Sequence, residues 1–123
     1  EKEVGKCVGS IEKVCEVLRK VDALNEKLAP IFFHGGGFED TFTRPKIEQI
    51  AMLNLDSDWF ESEKLCWETW YTKLSPGGFV YVDDYLYWPG CRQAADEFFD
   101  RLGINPQFSF VGHSAVHRKV HGR

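Results

Sequence analysis

Two acidic segments carry the clearest chemistry in this sequence. Asp83 and Asp84 follow the apolar run at residues 78–82, and Asp56 and Asp58 follow the run at residues 50–55. Short apolar runs rich in branched residues are typical of buried strands. Open α/β sheets bind their ligands at the edge where such strands end. Because several carboxylates gathered there repel one another, the pattern predicts a site for a divalent cation.

The elements that would position these acids alternate along the chain. Ser10 is predicted to cap a first helix with apolar residues at helical spacing, at positions 11, 14, 15, 18 and 21. Residues 31–34 are predicted to form a strand, followed by strands at residues 50–55 and 78–82. A turn at Pro76-Gly77-Gly78 is expected to lead into the third of these strands. The order predicts an α/β fold with a mostly parallel sheet.

Two further helices complete the predicted layer. The inner face of one is expected to contain Phe60, Trp67, Trp70, Tyr71 and Leu74. The apolar stripe of the other is expected to contain Cys91, Ala94, Ala95, Phe98 and Leu102. Gly103 then acts as the C-cap of that helix. Residues 108–111 and 115–120 are predicted to form a C-terminal antiparallel hairpin, within a single domain over residues 1–123.

Composition limits the classes of function. The 123 residues are 43% hydrophobic and 15% aromatic, which predicts a folded domain. The net charge of -4 and the absence of a basic stripe argue against nucleic acid as a partner. The four cysteines are far apart, as in proteins of a reducing compartment. Without a signal peptide or a long apolar segment, the sequence predicts a cytoplasmic protein that does not bind membranes.

Five segments in a fixed order resemble a known family. They are residues 36–41, 53–58, 74–79, 82–85 and 88–94. Together they are similar to the macrocin-type O-methyltransferases (the TylF/MycF family), which methylate sugar hydroxyls in antibiotic biosynthesis. The resemblance covers most of the chain, and five collinear motifs are more specific than one D-x-D motif.

The resemblance implies a Rossmann-like class I methyltransferase that uses S-adenosylmethionine and Mg²⁺. Carried over by motif, the metal ligands would be Asp56, Asp83 and Asp84. Asp58 would be the general base that removes a proton from a substrate hydroxyl. The segment expected near the adenine of the cofactor contains Gly36, Phe38 and Asp40.

The sequence departs from the family pattern at its beginning. Class I methyltransferases hold the cofactor through a glycine-rich turn after the first strand and an acid after the second, and neither motif occurs here. Gly9-Ser10 does not replace the glycine motif. We therefore expect a truncated sheet without its first two strands. The exposed edge would be covered by residues 31–34 or by a second copy in a homodimer.

Several assignments have a structural alternative. Asp58 fits an N-cap position, the Asp83-Asp84 pair fits a turn, and the glycines at 35–37 fit a plain turn. Trp88, which stands beside Pro89-Gly90 after the acidic pair, is predicted to line a substrate pocket. His113, His117 and His121 recur at intervals of four, and exposed tail histidines are favoured over a zinc site.

Two other classes of function share parts of this pattern. A non-catalytic assembly domain would explain the missing cofactor motifs. A haloacid-dehalogenase-like phosphatase would also use D-x-D after a strand. The short segment between Asp56 and Asp83 leaves no room for the other motifs that phosphatase chemistry needs.

Overall fold

The described residues of the first compact unit form one regular helix. The computed structural model describes residues 9–120, and the chain divides into two compact units between Gly35 and Gly36. Helix α1 spans Ile11–Lys20. As predicted, Ser10 caps it, because its Oγ accepts a hydrogen bond from the Lys13 backbone N–H at 3.3 Å. No residue of α1 is buried, so its apolar stripe is open to solvent.

The strand predicted at residues 31–34 is wrong. These residues have no regular secondary structure, and Phe32 is 76% exposed. A strand needs a neighbour to pair its backbone N–H and C=O groups. All four strands among residues 9–120 lie between residues 50 and 118, and they form a sheet without this segment. Apolar content alone therefore did not make residues 31–34 a strand.

The second unit is built on a mixed four-stranded sheet in the order β1-β2-β4-β3. Strands β1 (Ile50–Leu55) and β2 (Leu74–Val82) are parallel. Strand β4 (Ser114–Arg118) is antiparallel to both β2 and β3 (Phe108–Val111). The C-terminal hairpin is confirmed, whereas a mostly parallel sheet is wrong. The second strand of the hairpin pairs with β2, which makes that pairing antiparallel too.

The turn predicted at Pro76-Gly77-Gly78 lies inside β2. The register between β1 and β2 shifts between Ile50 and Met52, and the extra residues of β2 form a bulge there. Gly77 has φ +82°, and a Cβ on Gly78 would lie 2.8 Å from the Ala51 carbonyl oxygen. The glycines thus permit a bulge and a close approach of two strands instead of a chain reversal.

Helices α3 (Phe60–Trp70) and α4 (Pro89–Leu102) pack on the sheet and on each other. A 3₁₀ turn at Tyr71–Lys73 connects α3 to β2. On the predicted inner face of α3, Trp67 and Trp70 are buried and Phe60 is partly buried, whereas Tyr71 and Leu74 lie beyond the end of the helix, in the 3₁₀ turn and in β2. The predicted stripe of α4 is buried at Cys91, Ala94, Ala95 and Phe98, but it continues at Phe99 and not at Leu102, which is exposed. The core includes Leu55, Cys66, Trp67, Tyr71, Leu74, Val80, Val82, Tyr85, Ala94, Ala95, Phe98, Phe99 and Ala115.

The predictions about the C-cap of α4, the cysteines and membrane-spanning segments can be compared with the described residues. Gly103 ends α4 in the left-handed conformation with φ +65°, as expected of a C-cap glycine. Cys15, Cys66 and Cys91 are free thiols, and Cys7 lies outside the described residues. No helix within residues 9–120 combines the length and apolar character needed to cross a lipid bilayer.

Candidate active site

Two loops of similar design meet at the carboxyl edge of the parallel strands. After β1, the segment Asp56-Ser57-Asp58 leads to Trp59, the N-cap of α3. After β2, the pair Asp83-Asp84 leads through a turn to Trp88, the N-cap of α4. Asp58 (φ +59°) and Asp84 (φ +52°) both have left-handed backbones. Aspartate tolerates this conformation better than most residues, and such positions are common at functional sites.

The loops bring together the four acids Asp56, Asp58, Asp83 and Asp84, called the acid cluster below. The Asp83 backbone N–H donates to the Leu55 carbonyl at 2.8 Å, which joins the two strand ends. Partial desolvation raises the pKa of Asp56, and the nearby charges of the other three acids raise it further. Desolvation and then the charges of Asp83 and Asp58 also raise the pKa of Asp84, while His113 opposes this rise. The predicted convergence of carboxylates is therefore present.

The acid cluster has the donor chemistry of a site for a hard cation. Carboxylate oxygens are preferred ligands of Mg²⁺. Within residues 9–120 none of the four acids forms a salt bridge, so their charges are not compensated by lysine or arginine. The same part of the chain contains no group of three or more acidic, histidine or cysteine side chains already arranged to hold a metal ion. Mg²⁺ binding by Asp56, Asp83 and Asp84 stays a prediction.

A hydrogen-bond chain orients Asp83. The Ser114 hydroxyl donates to Asp83 Oδ1 at 2.9 Å, and the Tyr81 hydroxyl donates to Ser114 Oγ at 2.7 Å. The pairing of Val82 with Ala115 sets this contact, because it places Ser114 beside the end of β2. Sequence reasoning missed Ser114, since only the register between β2 and β4 reveals its position.

Asp58 does not cap α3, so the N-cap alternative is wrong. Trp59 occupies the N-cap position without a side-chain capping bond, and the Asp58 side chain is exposed. The preceding residue anchors the loop instead, because the Ser57 hydroxyl donates a short hydrogen bond to Glu63 Oε2. The Asp58 carboxylate is therefore available to a ligand, and its role as general base remains a prediction.

Glu63 is a buried acid beneath this loop that sequence reasoning also missed. Burial raises its pKa to about 7, and the hydrogen bond from Ser57 opposes part of this rise. Its Oε1 has no hydrogen-bond partner among the described residues. The feature of the sequence that could have identified Glu63 as buried is its position one helical turn before Trp67, on the inner face of α3.

The predicted cofactor segment contributes one of its three residues to a cleft beside the acid cluster. The short helix α2 (Phe38–Thr41) places Phe38 in a cleft of about 220 Å³ whose other lining residues include Asp56. Phe38 stacks on Phe42 with ring centroids 4.8 Å apart. Asp40 is exposed and does not line this cleft.

Gly36 does not line the cleft either and has a backbone role. Its φ is +134°, and a Cβ there would lie 3.2 Å from Thr41 Cγ2. Glycine is therefore required by the turn before α2, which supports the plain-turn interpretation for this position.

A larger cleft of about 450 Å³ lies away from the acids. Tyr71, Gln107 and His117 are among its lining residues, and no carboxylate of residues 9–120 lines it. His117 is buried, with its ring nitrogens 3.3 Å from the Tyr71 hydroxyl and from the Gln107 carbonyl oxygen. The prediction of an exposed tail histidine is wrong for His117 and holds for His113, and His121 lies outside the described residues.

Comparisons with known proteins agree on one family. The family model described as Macrocin-O-methyltransferase (TylF) matches residues 3–119. The chain is 34% identical over 111 residues to the demethyldecarbamoylnovobiocin O-methyltransferase of Streptomyces niveus, covering 88% of this chain and 40% of that protein. It is 35% identical over 85 residues to the mycinamicin III 3''-O-methyltransferase of Micromonospora griseorubida, covering 69% of this chain and 33% of that protein.

A solved structure supports the same relationship. The O-methyltransferase NovP matches with a TM-score of 0.82 and 31% identity, covering 91% of this chain and 46% of the NovP chain. The chain therefore spans less than half the length of these relatives. Because the family model covers nearly the whole sequence, the chain belongs to the macrocin O-methyltransferase (TylF) family.

Proposed function

We propose that this chain is part of an enzyme, or a remnant of one, that transfers a methyl group from S-adenosylmethionine to a hydroxyl of a sugar or small metabolite with the assistance of Mg²⁺. The observation that carries the proposal is the convergence of the acid cluster beside the cleft lined by Phe38. All three curated relatives are named as O-methyltransferases, and one name specifies a rhamnosyl substrate.

Asp58 acts as the general base in this proposal. Its exposed carboxylate takes the proton of the acceptor hydroxyl as the oxygen forms its bond to the methyl carbon. S-adenosylmethionine supplies a methyl group on a positively charged sulfur, which keeps the electron pair of the broken bond. A positioned base contributes about 10²- to 10⁴-fold to such a step.

Asp56, Asp83 and Asp84 hold Mg²⁺ in the same proposal. Held there, the metal would act as a Lewis acid and would lower the pKa of the acceptor hydroxyl. Support comes from the uncompensated charge of these carboxylates and from the hydrogen bonds that orient Asp83. Ser114 keeps one Asp83 oxygen in place.

We also propose that the sheet is a class I methyltransferase sheet without its first two strands. Strand β1 lies at one edge of the described sheet, and its Met52 side chain is 65% exposed. Such an edge is a ready partner for another strand. We propose that the isolated chain forms a homodimer through the edge of β1. We also propose that it is cytoplasmic.

Titration calorimetry with S-adenosylmethionine, with Mg²⁺ and then with a chelator, tests the proposal. We expect micromolar binding of S-adenosylmethionine, and Mg²⁺ binding that Asp56→Asn and Asp83→Asn abolish. Asp100→Asn, an exposed acid near the end of α4, is the matched control and should bind Mg²⁺ normally. Unchanged Mg²⁺ binding in both site variants would contradict the metal assignment.

A non-catalytic assembly domain is the second candidate function. The exposed β1 edge favours it, because an open edge promotes pairing between chains. Size-exclusion chromatography with light scattering measures the dimer that both candidates predict, and the calorimetric titrations separate the two candidates. A stable dimer that binds neither S-adenosylmethionine nor Mg²⁺ would support assembly and contradict the enzyme.

A further inference from the structure

Four aromatic rings form a surface beside the first turns of helices α3 and α4, with Trp88 partly buried and the other three exposed. Trp59 and Trp88 stack with ring centroids 6.2 Å apart. Tyr87 contacts the Trp88 ring edge-to-face at 4.9 Å, and His113 lies 5.6 Å from Tyr87. Trp59 is 51% exposed and Tyr87 is 58% exposed. We call these four residues the aromatic platform.

The platform depends on a close approach between the two helices. A Cβ on Gly90 would lie 3.0 Å from the Phe60 backbone nitrogen, so the first turn of α4 lies directly against the first turn of α3. Trp59 precedes Phe60, and Trp88 lies two residues before Gly90. The close contact at Gly90 therefore places the two tryptophan side chains next to each other.

Helix capping does not explain these tryptophans. Both occupy N-cap positions, and neither makes a side-chain capping hydrogen bond. Ser, Thr, Asp or Asn at an N-cap stabilises a helix by about 1 kcal/mol relative to residues that cannot cap. Core packing explains Trp59 no better, because half of its surface is exposed. A ligand that covers the rings accounts for both features.

The platform borders the acid cluster on two sides. Asp58 directly precedes Trp59. The Asp84 carbonyl accepts hydrogen bonds from the backbone N–H groups of Tyr87 and Trp88, each at 2.9 Å. The His113 carbonyl accepts a hydrogen bond from the Leu86 N–H at 2.9 Å, which fixes the hairpin turn beside the same loop. An apolar ring surface thus lies next to carboxylates that accept hydrogen bonds.

A pyranose ring matches this combination. One face of such a sugar presents C–H groups that pack on aromatic rings, and its edge presents hydroxyls that donate to carboxylates. We propose that Trp59, Tyr87 and Trp88 bind the apolar face of a glycoside acceptor and hold its hydroxyl edge at Asp58 and Asp84. This inference rests on the proposed function and adds the residues that select the acceptor.

The four tryptophans of the chain provide the measurement. In ¹⁵N-labelled protein their indole N–H groups give separate NMR signals, assigned by single Trp→Phe variants. Methyl α-L-rhamnopyranoside, without S-adenosylmethionine, is the probe. We expect saturable shifts of the Trp59 and Trp88 signals. The signal of the fully buried Trp67 serves as the internal control and should not shift with the probe.

Variants sharpen the test. Trp88→Ala should weaken binding of the probe about three- to tenfold, as expected for loss of one aromatic contact. Phe79→Ala, which removes an exposed aromatic residue of β2 outside the platform, should leave binding unchanged. Unchanged Trp67 and Trp70 signals in each variant verify that the fold is intact.

The outcomes separate this inference from the proposed function. Absence of shifts at Trp59 and Trp88, in protein that binds S-adenosylmethionine, would overturn the platform and leave methyl transfer standing. Shifts with the probe in protein that binds no S-adenosylmethionine would support the platform and count against the enzyme. Signals that move with protein concentration, but not with the sugar, would identify a contact between copies and also overturn the inference.

Discussion

The two ends of strand β2 differ in whether the charged side chains near them have partners in the protein. Near its start, the buried Lys119 side chain donates from Nζ to the Tyr71 carbonyl at 3.1 Å and lies 4.9 Å from the centroid of the Tyr71 ring. The Lys119 backbone pairs with Gly77 and Gly78. Beyond the other end of β2, the acid cluster gathers charge of one sign without a lysine or arginine partner in the described part of the chain.

The difference separates polar groups that stabilise the fold from polar groups that are available to a ligand. A buried polar group costs little when it is hydrogen-bonded, as at Lys119 and His117. Carboxylates that raise one another's pKa oppose folding, so their presence at one edge points to a ligand or cation that compensates them. The following predictions test this contrast, beginning with the largest effect.

Tyr71→Ala should destabilise the protein most, by about 3–5 kcal/mol in the free energy of unfolding. The ring packs against Trp67, Phe98 and Phe99, and its hydroxyl lies 3.3 Å from His117. Tyr71→Phe is the matched control, since it removes only the hydroxyl and should cost about 1 kcal/mol. Chemical denaturation gives both values. Equal costs for the two variants would show that the ring contributes little to this end of the sheet.

Asp58→Asn should reduce methyl transfer by about 100-fold or more in any preparation that shows activity. The variant keeps the shape of the side chain and tolerates the left-handed backbone, but it cannot accept the proton. Binding of S-adenosylmethionine should not change, which calorimetry verifies. A variant with full activity would assign the base to another group.

The sequence predicted the parts of the structure that depend on local pattern. The apolar runs at residues 50–55 and 78–82 formed neighbouring parallel strands, so the acids after them met at one edge. The inner face of α3 followed its helical spacing. Predicting such features requires only the side-chain periodicity of each element and the rule that ligands bind at the carboxyl ends of parallel strands.

The features that were missed depend on contacts between distant segments. The bulge at Gly77-Gly78 requires the approach of β1, and the contact of Ser114 with Asp83 requires the antiparallel register of β4. Residues 31–34 carry an apolar pattern like that of a strand, but no strand in the described part of the chain pairs with them. The spacing of apolar residues indicates which face of an element can be buried. Whether the element forms a strand depends on backbone pairing with a neighbouring strand.

Stability should fall as pH rises from about 4.5 to 7, because Glu63 keeps its proton more tightly when folded. Its ordinary pKa is 4.5 and its pKa in the folded protein is about 7, so the folded state binds more protons in this window. The charges of Asp56 and Asp58 also disfavour its ionised form. The thiols of Cys66 and Cys91, with pKa values raised to about 12 by burial, stay neutral there.

Glu63→Gln isolates this effect, because glutamine keeps the size of the side chain and cannot ionise. We expect thermal denaturation curves of the variant to lose most of the pH dependence between about pH 4.5 and 7, a difference of about 1–3 kcal/mol in the free energy of unfolding. Parallel pH profiles for the variant and the unchanged protein would show that Glu63 does not titrate in this range.

Asp84→Asn should have the smallest effect and the opposite sign to a change at Tyr71. The Asp84 carboxylate lies near the charges of Asp83 and Asp58, and asparagine suits its left-handed backbone. Without Mg²⁺ the substitution should stabilise the protein by a few tenths of a kcal/mol, because solvent screens a charge that is only partly buried. The gain should shrink further in about 1 M salt, where the Debye length is near 3 Å. With Mg²⁺ present the sign should reverse, since the variant loses a proposed ligand. Destabilisation in the absence of Mg²⁺ would mean that this carboxylate contributes to the fold, and the contrast between the two ends of β2 would not hold at Asp84.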